Sequence, residues 1–276
     1  MPVYYEYTFK VNPPQPGTDI LISDLGDLGF ETFTEDEHGF KAYIQEETEP
    51  TVNLHNLNYD DFTFTFEKQR IEQTNWNAEW EKNFEPVLVE NLLLIRAPFH
   101  NPDETVKHEI VIMPKMSFGT GHHDTTWLMC KQLFQINLKN KTVLDMGCGT
   151  GVLAILAKKL GALKVVGVDI DEWSVENSIE NCANNNCNDI EIKLGSKEAL
   201  INYKSFDVIL ANINKNVLKD QMAVYANLLE NGGTLLLSGF FNTDITELEQ
   251  VAENNSLKLI DSFTKNNWAV MKLEKN

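Results

Sequence analysis

The chain has 276 residues, of which 42% are hydrophobic and 23% charged, a composition typical of a globular protein with one large or two modest domains. Its 41 acidic residues outnumber the 23 basic ones and give a net charge of −18, which argues against nucleic-acid binding because Lys and Arg must neutralise phosphates there. No apolar stretch approaches the ~20 residues needed to span a bilayer, and the N-terminus does not resemble a signal peptide, so we expect a cytoplasmic protein without membrane contact.

The negative charge is concentrated at the start of the chain. Residues 1–70 hold 4 basic and 14 acidic side chains, a net charge of −10. Such a surface would attract and steer a basic partner. An acidic surface that serves only solubility explains the charge equally well.

The first 68 residues alternate between strand-like and helix-like segments. Aromatic and β-branched runs predict strands, and apolar residues at helical spacing predict a helix. In chain order the predicted elements are the strand Val3–Val11, the helix Thr18–Leu28, the hairpin of Phe30–Thr34 and Phe40–Gln45, and the strand Phe62–Phe66. This order predicts a small α+β domain of ferredoxin-like type, although its second helix has little support in the sequence.

A polar segment follows this first domain. Residues 69–85 are polar and compatible with a linker helix. Two apolar segments, Pro86–Ala97 and Glu109–Met113, then predict a β pair that leads into a second domain, residues 86–276.

From Thr142 onward, strands and helices alternate. The predicted strands are Thr142–Met146, Lys164–Ile170, Ile190–Leu194, Phe206–Ile213 and Gly233–Phe240. Helices are predicted to begin near Gly151, Glu172 and Asn214, a further helix covers Asp244–Glu253, and a terminal hairpin is formed by Ser256–Asn266 and Trp268–Lys275. Alternating βα units imply a parallel sheet with right-handed crossovers, with ligands bound at the carboxyl ends of the strands.

The run from Thr142 to Asp171 carries the most specific signal. A strand, a glycine turn that starts at Gly147, a helix and a second strand ending in Asp169 form the unit that holds adenosine-bearing cofactors in open parallel sheets. Glycines allow positive φ angles and a close approach of the ligand, and the Asp169 carboxylate can accept hydrogen bonds from both ribose hydroxyls. The sixth position of the turn is Val152 and not the glycine of a dinucleotide fingerprint, so a nicotinamide-binding domain is the less favoured alternative.

The pattern Asp145-x-Gly147-x-Gly149-x-Gly151 resembles motif I of the class I S-adenosylmethionine-dependent methyltransferases. The resemblance implies an α/β fold with a Rossmann-like, mostly parallel sheet and one antiparallel terminal strand. It implies S-adenosylmethionine as cofactor and S-adenosylhomocysteine as product. It also places Asp145 near the methionine end of the cofactor, Gly149 against it, and Asp169 at its ribose.

A second motif narrows the family. PKMSFGTGHHDTT, followed by LDMGCGTGVLAI, VGVDID and ANI, resembles the ribosomal protein L11 methyltransferases (the PrmA family), and NWNAEWEKNFEPVLV resembles the linker of that family. The resemblance covers nearly the whole chain and is weakest over residues 1–68. It implies cofactor contacts at Thr126, Gly147, Asp169 and Asn212, and lid glycines Gly119 and Gly121 beside the methionine portion.

The resemblance also implies the reaction and the substrate. We expect methyl transfer to the lysine ε-amines, and to the N-terminal α-amine, of a basic ribosomal protein, free or on the ribosome. Residues 1–68 would then recognise that substrate. The two alternatives are a nucleic-acid or small-molecule amino methyltransferase, against which the acidic charge weighs, and a non-catalytic ribosome-binding module, against which the intact glycine unit weighs.

Asn212 is the candidate catalytic residue. It ends the fourth strand, where class I amino methyltransferases often carry an Asn/Asp-Pro-Pro-aromatic motif, of which this chain shares only the Asn. Two roles are open for it: accepting the N–H bonds of the substrate amine, or contacting the cofactor alone. The family commonly has a leucine after ANI, whereas this chain has Asn214, so the surface that faces the substrate is expected to differ locally.

The histidines and cysteines do not predict a metal site. His122, His123 and Asp124 are adjacent in the chain, and adjacent residues seldom point at one ion. A role in the lid is favoured for both histidines, and acceptance of a proton from the substrate ammonium is the less favoured alternative. The four cysteines (Cys130, Cys148, Cys182, Cys187) lack metal-site spacing, so we expect packed, reduced thiols.

Overall fold

The computed structural model describes residues 3–37, 39–71 and 76–276. The chain divides into two units, Met1–Asn83 and Phe84–Asn276. Among the helices in the described ranges, none is both long and apolar enough to cross a membrane.

The first unit is an antiparallel sheet with one long helix packed on it. The sheet has the order β2-β3-β1-β4, which is the ferredoxin-like connectivity that the sequence predicted. Leu21 and Leu25 of the helix are buried in one cluster with Phe9 and Phe40 of the sheet. The elements are β1 (Tyr4–Asn12), α1 (Pro14–Asp27), β2 (Thr32–Asp36), β3 (Gly39–Gln45) and β4 (Thr63–Ile71).

Several boundaries in this unit differ from the prediction. α1 begins at Pro14, four residues earlier than predicted, but Gln15 has extended backbone angles (φ −112°, ψ 136°), so the regular part of the helix starts after a kink at that residue. β2 lies two residues later than predicted, and His38 in the hairpin turn lies outside the described residues. Two short 3-10 helices, Glu49–Thr51 and Leu54–Asn56, stand where the second helix was expected.

The predicted linker helix over residues 69–85 is too long. β4 pairs with β1 as far as Ile71, so residues 69–71 belong to the sheet, whose ladder of hydrogen bonds outweighs their helix-compatible composition. The helical part is α2 (Trp76–Asn83), and residues 72–75 lie outside the described part of the chain.

The second unit contains a seven-stranded sheet in the order β10-β9-β8-β11-β12-β14-β13. Neighbours from β10 to β12 are parallel, whereas β14 runs antiparallel to β12. The strands are β8 (Thr142–Met146), β9 (Lys164–Asp169), β10 (Glu191–Leu194), β11 (Phe206–Asn212), β12 (Leu229–Phe241), β13 (Leu257–Lys265) and β14 (Trp268–Lys275). The helices are α3 (Asp124–Leu133), α4 (Val152–Lys159), α5 (Glu172–Asn184), α6 (Lys215–Leu228) and α7 (Ile245–Glu253). The predicted class I methyltransferase sheet with its antiparallel terminal strand is confirmed.

A smaller sheet precedes α3. The prediction of one strand over Pro86–Ala97 is wrong, because that segment folds back on itself at Glu90, whose φ is +49°. It forms a hairpin of β5 (Val87–Val89) and β6 (Leu93–Arg96), and β6 pairs in parallel with β7 (His108–Val111).

The large sheet separates two apolar layers. Side chains alternate across a strand, so Val143 and Leu144 of β8 enter opposite layers, as do Val208 and Ile209 of β11. Both faces of these strands are therefore held by packed side chains. This fixes the position of the loops at their carboxyl ends.

Candidate active site

A cavity of about 840 Å³ lies at the carboxyl ends of the parallel strands, which is within the usual size of small-molecule sites. Its wall is formed by residues that follow β8, β9, β10 and β11 and by the segment before α3. Four of the predicted site residues line it: Gly147, Gly149, Asp169 and Asn212.

The glycine turn after β8 requires its glycines. Gly147 and Gly149 have φ angles of +73° and +54°, a region that other residues rarely adopt. A Cβ on Gly149 would lie 2.2 Å from the carbonyl oxygen of Phe118, and one on Gly147 would lie 2.3 Å from the Ile213 side chain. The turn is therefore enclosed by neighbouring segments and leaves its backbone close to the cavity.

Asp169 ends β9, and its residue is only 8% exposed. One carboxylate oxygen accepts the backbone N–H of Gly149 at 2.8 Å, and the other accepts that of Asp171 at 3.1 Å. Each carboxylate oxygen can accept a further hydrogen bond. The carboxylate is thus held rigidly and can still bind two neighbouring hydroxyls, as a ribose presents them.

Asn212 ends β11 on the other side of the glycine turn. Its amide nitrogen donates to Thr126 Oγ1 at 3.4 Å, which is a long hydrogen bond. Its carbonyl oxygen is buried and has no hydrogen-bond partner among the described residues. Since a buried acceptor without a partner is unfavourable, this oxygen is suited to a donor that arrives with a ligand.

Asp145 does not line the cavity but is fully buried beneath the turn. One of its oxygens accepts the backbone N–H of Ala154 at 3.0 Å, in the first turn of α4, and the other has no partner in the described chain. Burial raises the pKa of Asp145 to about 7, and the charge of nearby Asp169 adds to this effect. In this structure Asp145 supports the turn from below.

Three further predicted residues also lie behind the cavity wall. Thr126 is fully buried in α3 and holds the Asn212 amide. The Gly119 carbonyl accepts the Thr150 hydroxyl at 2.7 Å. Gly121 lies against β5 and β6, where a Cβ would meet the Ile95 side chain at 2.9 Å. These residues position the segment before α3 on the glycine turn.

The two histidines of this segment have different surroundings. His123 lines the cavity, and its Nδ1 accepts the backbone N–H of Thr125 at 3.3 Å, so the His123 side chain caps the N-terminus of α3. The His122 ring bonds the Thr120 hydroxyl and the Glu85 carbonyl. Within the described ranges, no three His, Cys, Asp or Glu side chains are grouped as a metal site.

Apolar residues that sequence reasoning missed complete the wall. Met116 and Phe118 before α3, and Ile170 and Trp173 after β9, line the cavity although they are exposed. The sequence did contain a signal for two of them: Ile170 and Trp173 are large apolar residues just after Asp169, at the end of a predicted strand. The loop at that end of a strand faces the ligand in open parallel sheets.

The cavity is acidic. Asp169, Asp171 and Asp220 line it, and its described lining contains no Lys or Arg, although Asp220 already pairs with Lys197 at 2.8 Å. Such a wall favours cationic ligands. Cys148 lies within the glycine turn, and its burial raises the pKa of its thiol, so the thiol stays neutral. All four cysteines are buried and none forms a disulfide bond.

These features fit S-adenosylmethionine. Ile170 and Trp173 offer apolar surface to a base, and Asp169 offers a carboxylate to the ribose hydroxyls. The acidic wall suits a sulfonium, and the unpartnered oxygen of Asn212 suits an amine beside it.

Comparison with known proteins agrees with this description. Residues 24–276 match the family model described as ribosomal protein L11 methyltransferase (PrmA). The chain is 43% identical over 259 residues to a ribosomal protein L11 methyltransferase of Porphyromonas gingivalis, covering 92% of this chain and 89% of the relative. It is 41% identical over 275 residues to that of Bacteroides thetaiotaomicron, covering 98% of both.

A solved structure gives the same result. The ribosomal protein L11 methylase of Lactobacillus delbrueckii subsp. bulgaricus superposes with a TM-score of 0.65 at 28% identity, covering 70% of this chain and all of that one. The chain therefore belongs to the ribosomal protein L11 methyltransferase (PrmA) family, and its cofactor is S-adenosylmethionine.

Proposed function

We propose that this protein transfers methyl groups from S-adenosylmethionine to amines of ribosomal protein L11, namely lysine ε-amines and the N-terminal α-amine. The names of its relatives support the substrate. The observation that supports an amine as the methyl acceptor is the side-chain oxygen of Asn212, which lies at the cavity, is buried and has no hydrogen-bond partner among the described residues.

The proposed roles of the chain's residues follow from this geometry. The bound cofactor supplies a methyl group on a sulfonium, which an amine lone pair attacks in line. A lysine amine with a pKa near ~10.4 costs about 4–5 kcal/mol to deprotonate at pH 7. The Asn212 oxygen accepts an N–H of the neutral amine and directs its lone pair without adding a charge that would favour the ammonium. Alignment and exclusion of water supply much of the rate, so no dedicated base is needed.

The remaining predicted cofactor contacts are part of this proposal. Asp169 binds the ribose, and Gly147 and Gly149 let the cofactor approach the turn. Thr126 acts by holding the Asn212 amide. Asp145, Gly119 and Gly121 act behind the wall, by supporting the turn and the segment before α3.

We further propose that the acidic residues 1–68 recognise basic L11, either free or on the ribosome, in the cytoplasm. Residues 69–85 join this part to the catalytic part, and residues 86–276 perform the transfer. Residues 1–70 contain 14 acidic and 4 basic side chains. Three of those basic side chains already pair with glutamates, in Lys41–Glu6, Lys68–Glu49 and Arg70–Glu46. Most of the acidic charge is therefore available to a basic protein.

A labelling experiment tests the function. The purified enzyme is incubated with S-adenosylmethionine carrying a tritiated methyl group and either purified L11 or deproteinised ribosomal RNA. We expect label in L11 only, and mass spectrometry of the product identifies the modified amines. Label in the RNA only would contradict the proposal. Asp169→Ala is the control, because the substitution should remove the labelling if the cofactor binds at Asp169. A non-catalytic module would give no label with either protein.

A further inference from the structure

Ser117 belongs to the segment before α3. It lines the cavity and is only 6% exposed. Its hydroxyl oxygen is buried and has no hydrogen-bond partner among the described residues. In the described wall of the cavity, Asn212 is the other residue with such an atom. Buried polar atoms are nearly always paired, so an unpaired hydroxyl at a ligand cavity indicates a partner on the ligand.

The segment that carries Ser117 is anchored on the Asp169 side of the cavity. The backbone N–H of Met113 donates to the Asn181 side chain at 2.8 Å, and Lys115 pairs with Glu180. Both partners belong to α5, the helix that follows Asp169. The chain before Ser117 therefore runs along α5, the helix that begins three residues after Asp169.

The residue after Ser117 is fixed to the glycine turn on the same side. The Phe118 carbonyl accepts the backbone N–H of Thr150 at 2.8 Å and lies against Gly149. The N–H of Gly149 in turn donates to the Asp169 carboxylate at 2.8 Å. Asn212 lies across the turn, because β9 and β11 flank β8 on opposite sides. Ser117 thus lies on the side of the cavity where Asp169 would bind the ribose, and not on the side where Asn212 would bind the amine.

Two other hydroxyls of the wall are already engaged. The Thr125 hydroxyl bonds His123 Nδ1 at 2.8 Å, and the Ser196 hydroxyl accepts from Gln221 at 3.2 Å. Ser117 can both donate and accept a hydrogen bond. We propose that the Ser117 hydroxyl binds a ribose hydroxyl of the cofactor together with Asp169, and so raises the affinity for its adenosine part. This rests on S-adenosylmethionine as cofactor, and not on the identity of the methyl acceptor.

The test measures binding and not turnover. Isothermal titration calorimetry compares wild type with Ser117→Ala for two ligands, S-adenosylhomocysteine and 5′-methylthioadenosine, which keeps the ribose but lacks the amino-acid part. We expect the substitution to weaken both by the same factor, about three- to tenfold, as the loss of one neutral hydrogen bond predicts. The 2′-deoxy and 3′-deoxy analogues of S-adenosylhomocysteine complete the comparison. At least one of them should bind wild type and variant equally.

Ser178→Ala is the matched control, because Ser178 is a buried serine of α5 that bonds the Val175 carbonyl and does not line the cavity. It should bind both ligands as wild type does. The unliganded Ser117→Ala protein should unfold at no lower temperature than wild type, since it loses only an unpaired hydroxyl. Unchanged affinity in Ser117→Ala, a loss confined to S-adenosylhomocysteine, or an equal further loss with both deoxy analogues would each overturn the assignment. None of these results depends on whether L11 is methylated.

Discussion

Replacement of Asn212 by alanine tests the proposed mechanism most directly. The side-chain oxygen of Asn212 has no partner among the described residues, so we expect its only strong bond to form with the amine, which gains positive charge as the methyl group is transferred. A hydrogen bond to a charged group contributes about 1.5–3 kcal/mol, which corresponds to a decrease in kcat/KM of about 10- to 150-fold. The bond from the Asn212 amide to Thr126 is long, at 3.4 Å, so little stability should be lost.

Asn212→Asp has nearly the same shape but adds a negative charge at the same place. That charge stabilises the ammonium form of the substrate, which cannot attack. We therefore expect Asn212→Asp to be slow at pH 7 and to regain activity as the pH rises, whereas Asn212→Ala should keep the pH profile of the wild type.

Initial rates with tritiated S-adenosylmethionine and L11 give kcat/KM, and calorimetry with S-adenosylhomocysteine gives the affinity for the cofactor product. If Asn212 directs the amine, the affinity of the alanine variant stays near that of wild type while kcat/KM falls. Equal losses in both quantities would refute this reasoning, because they would show that Asn212 contacts the cofactor alone.

Three further outcomes are expected. Gly149→Ala should abolish S-adenosylhomocysteine binding or unfold the protein, because its Cβ would lie 2.2 Å from a carbonyl oxygen. Gly232→Ala is the control, since Gly232 has a similar φ of +72° but open space around it. For this control, thermal unfolding should show only a small loss of stability and calorimetry should show normal binding. Asp145 keeps its proton in the fold up to a pKa of about 7 and loses it near pH 4 when unfolded, so its contribution is fully present below pH 4 and is lost as the pH rises through 7, by up to about 4 kcal/mol. Asp145→Asn should therefore gain stability relative to wild type in urea unfolding from pH 5 to 8, and a difference that does not vary with pH would contradict this. Raising KCl from about 50 to 300 mM should increase the KM for L11 through screening of the acidic residues 1–70, with little effect on S-adenosylhomocysteine affinity; equal changes in both would argue against electrostatic recognition.

The sequence predicted the strands and the positions of the cofactor loops because their signals are local. Gly147 and Gly149 follow a short apolar run and Asp169 ends another, both of which predict buried strands. Strand ends in a parallel sheet face one edge. The hairpin at Glu90 was missed because the run Pro86–Ala97 is apolar on both sides of the turn and contains no glycine or proline there.

The sequence by itself determined the cofactor unit, the mostly parallel character of the sheet and the family, since spacing and hydrophobic period are properties of the chain alone. Only the tertiary structure decided which polar groups of the unit face the cavity. Asp145 and Asp169 both end or nearly end parallel strands, yet Asp169 lines the cavity whereas Asp145 is buried under α4. Likewise the hydroxyls of Ser117 and Thr125 differ only in their neighbours, because Thr125 bonds His123 and Ser117 has no partner in the described chain. His123 is only two residues from Thr125, and Ala154 is nine residues from Asp145. Even between such near neighbours, hydrogen bonding depends on distances in the folded backbone that spacing along the chain does not fix.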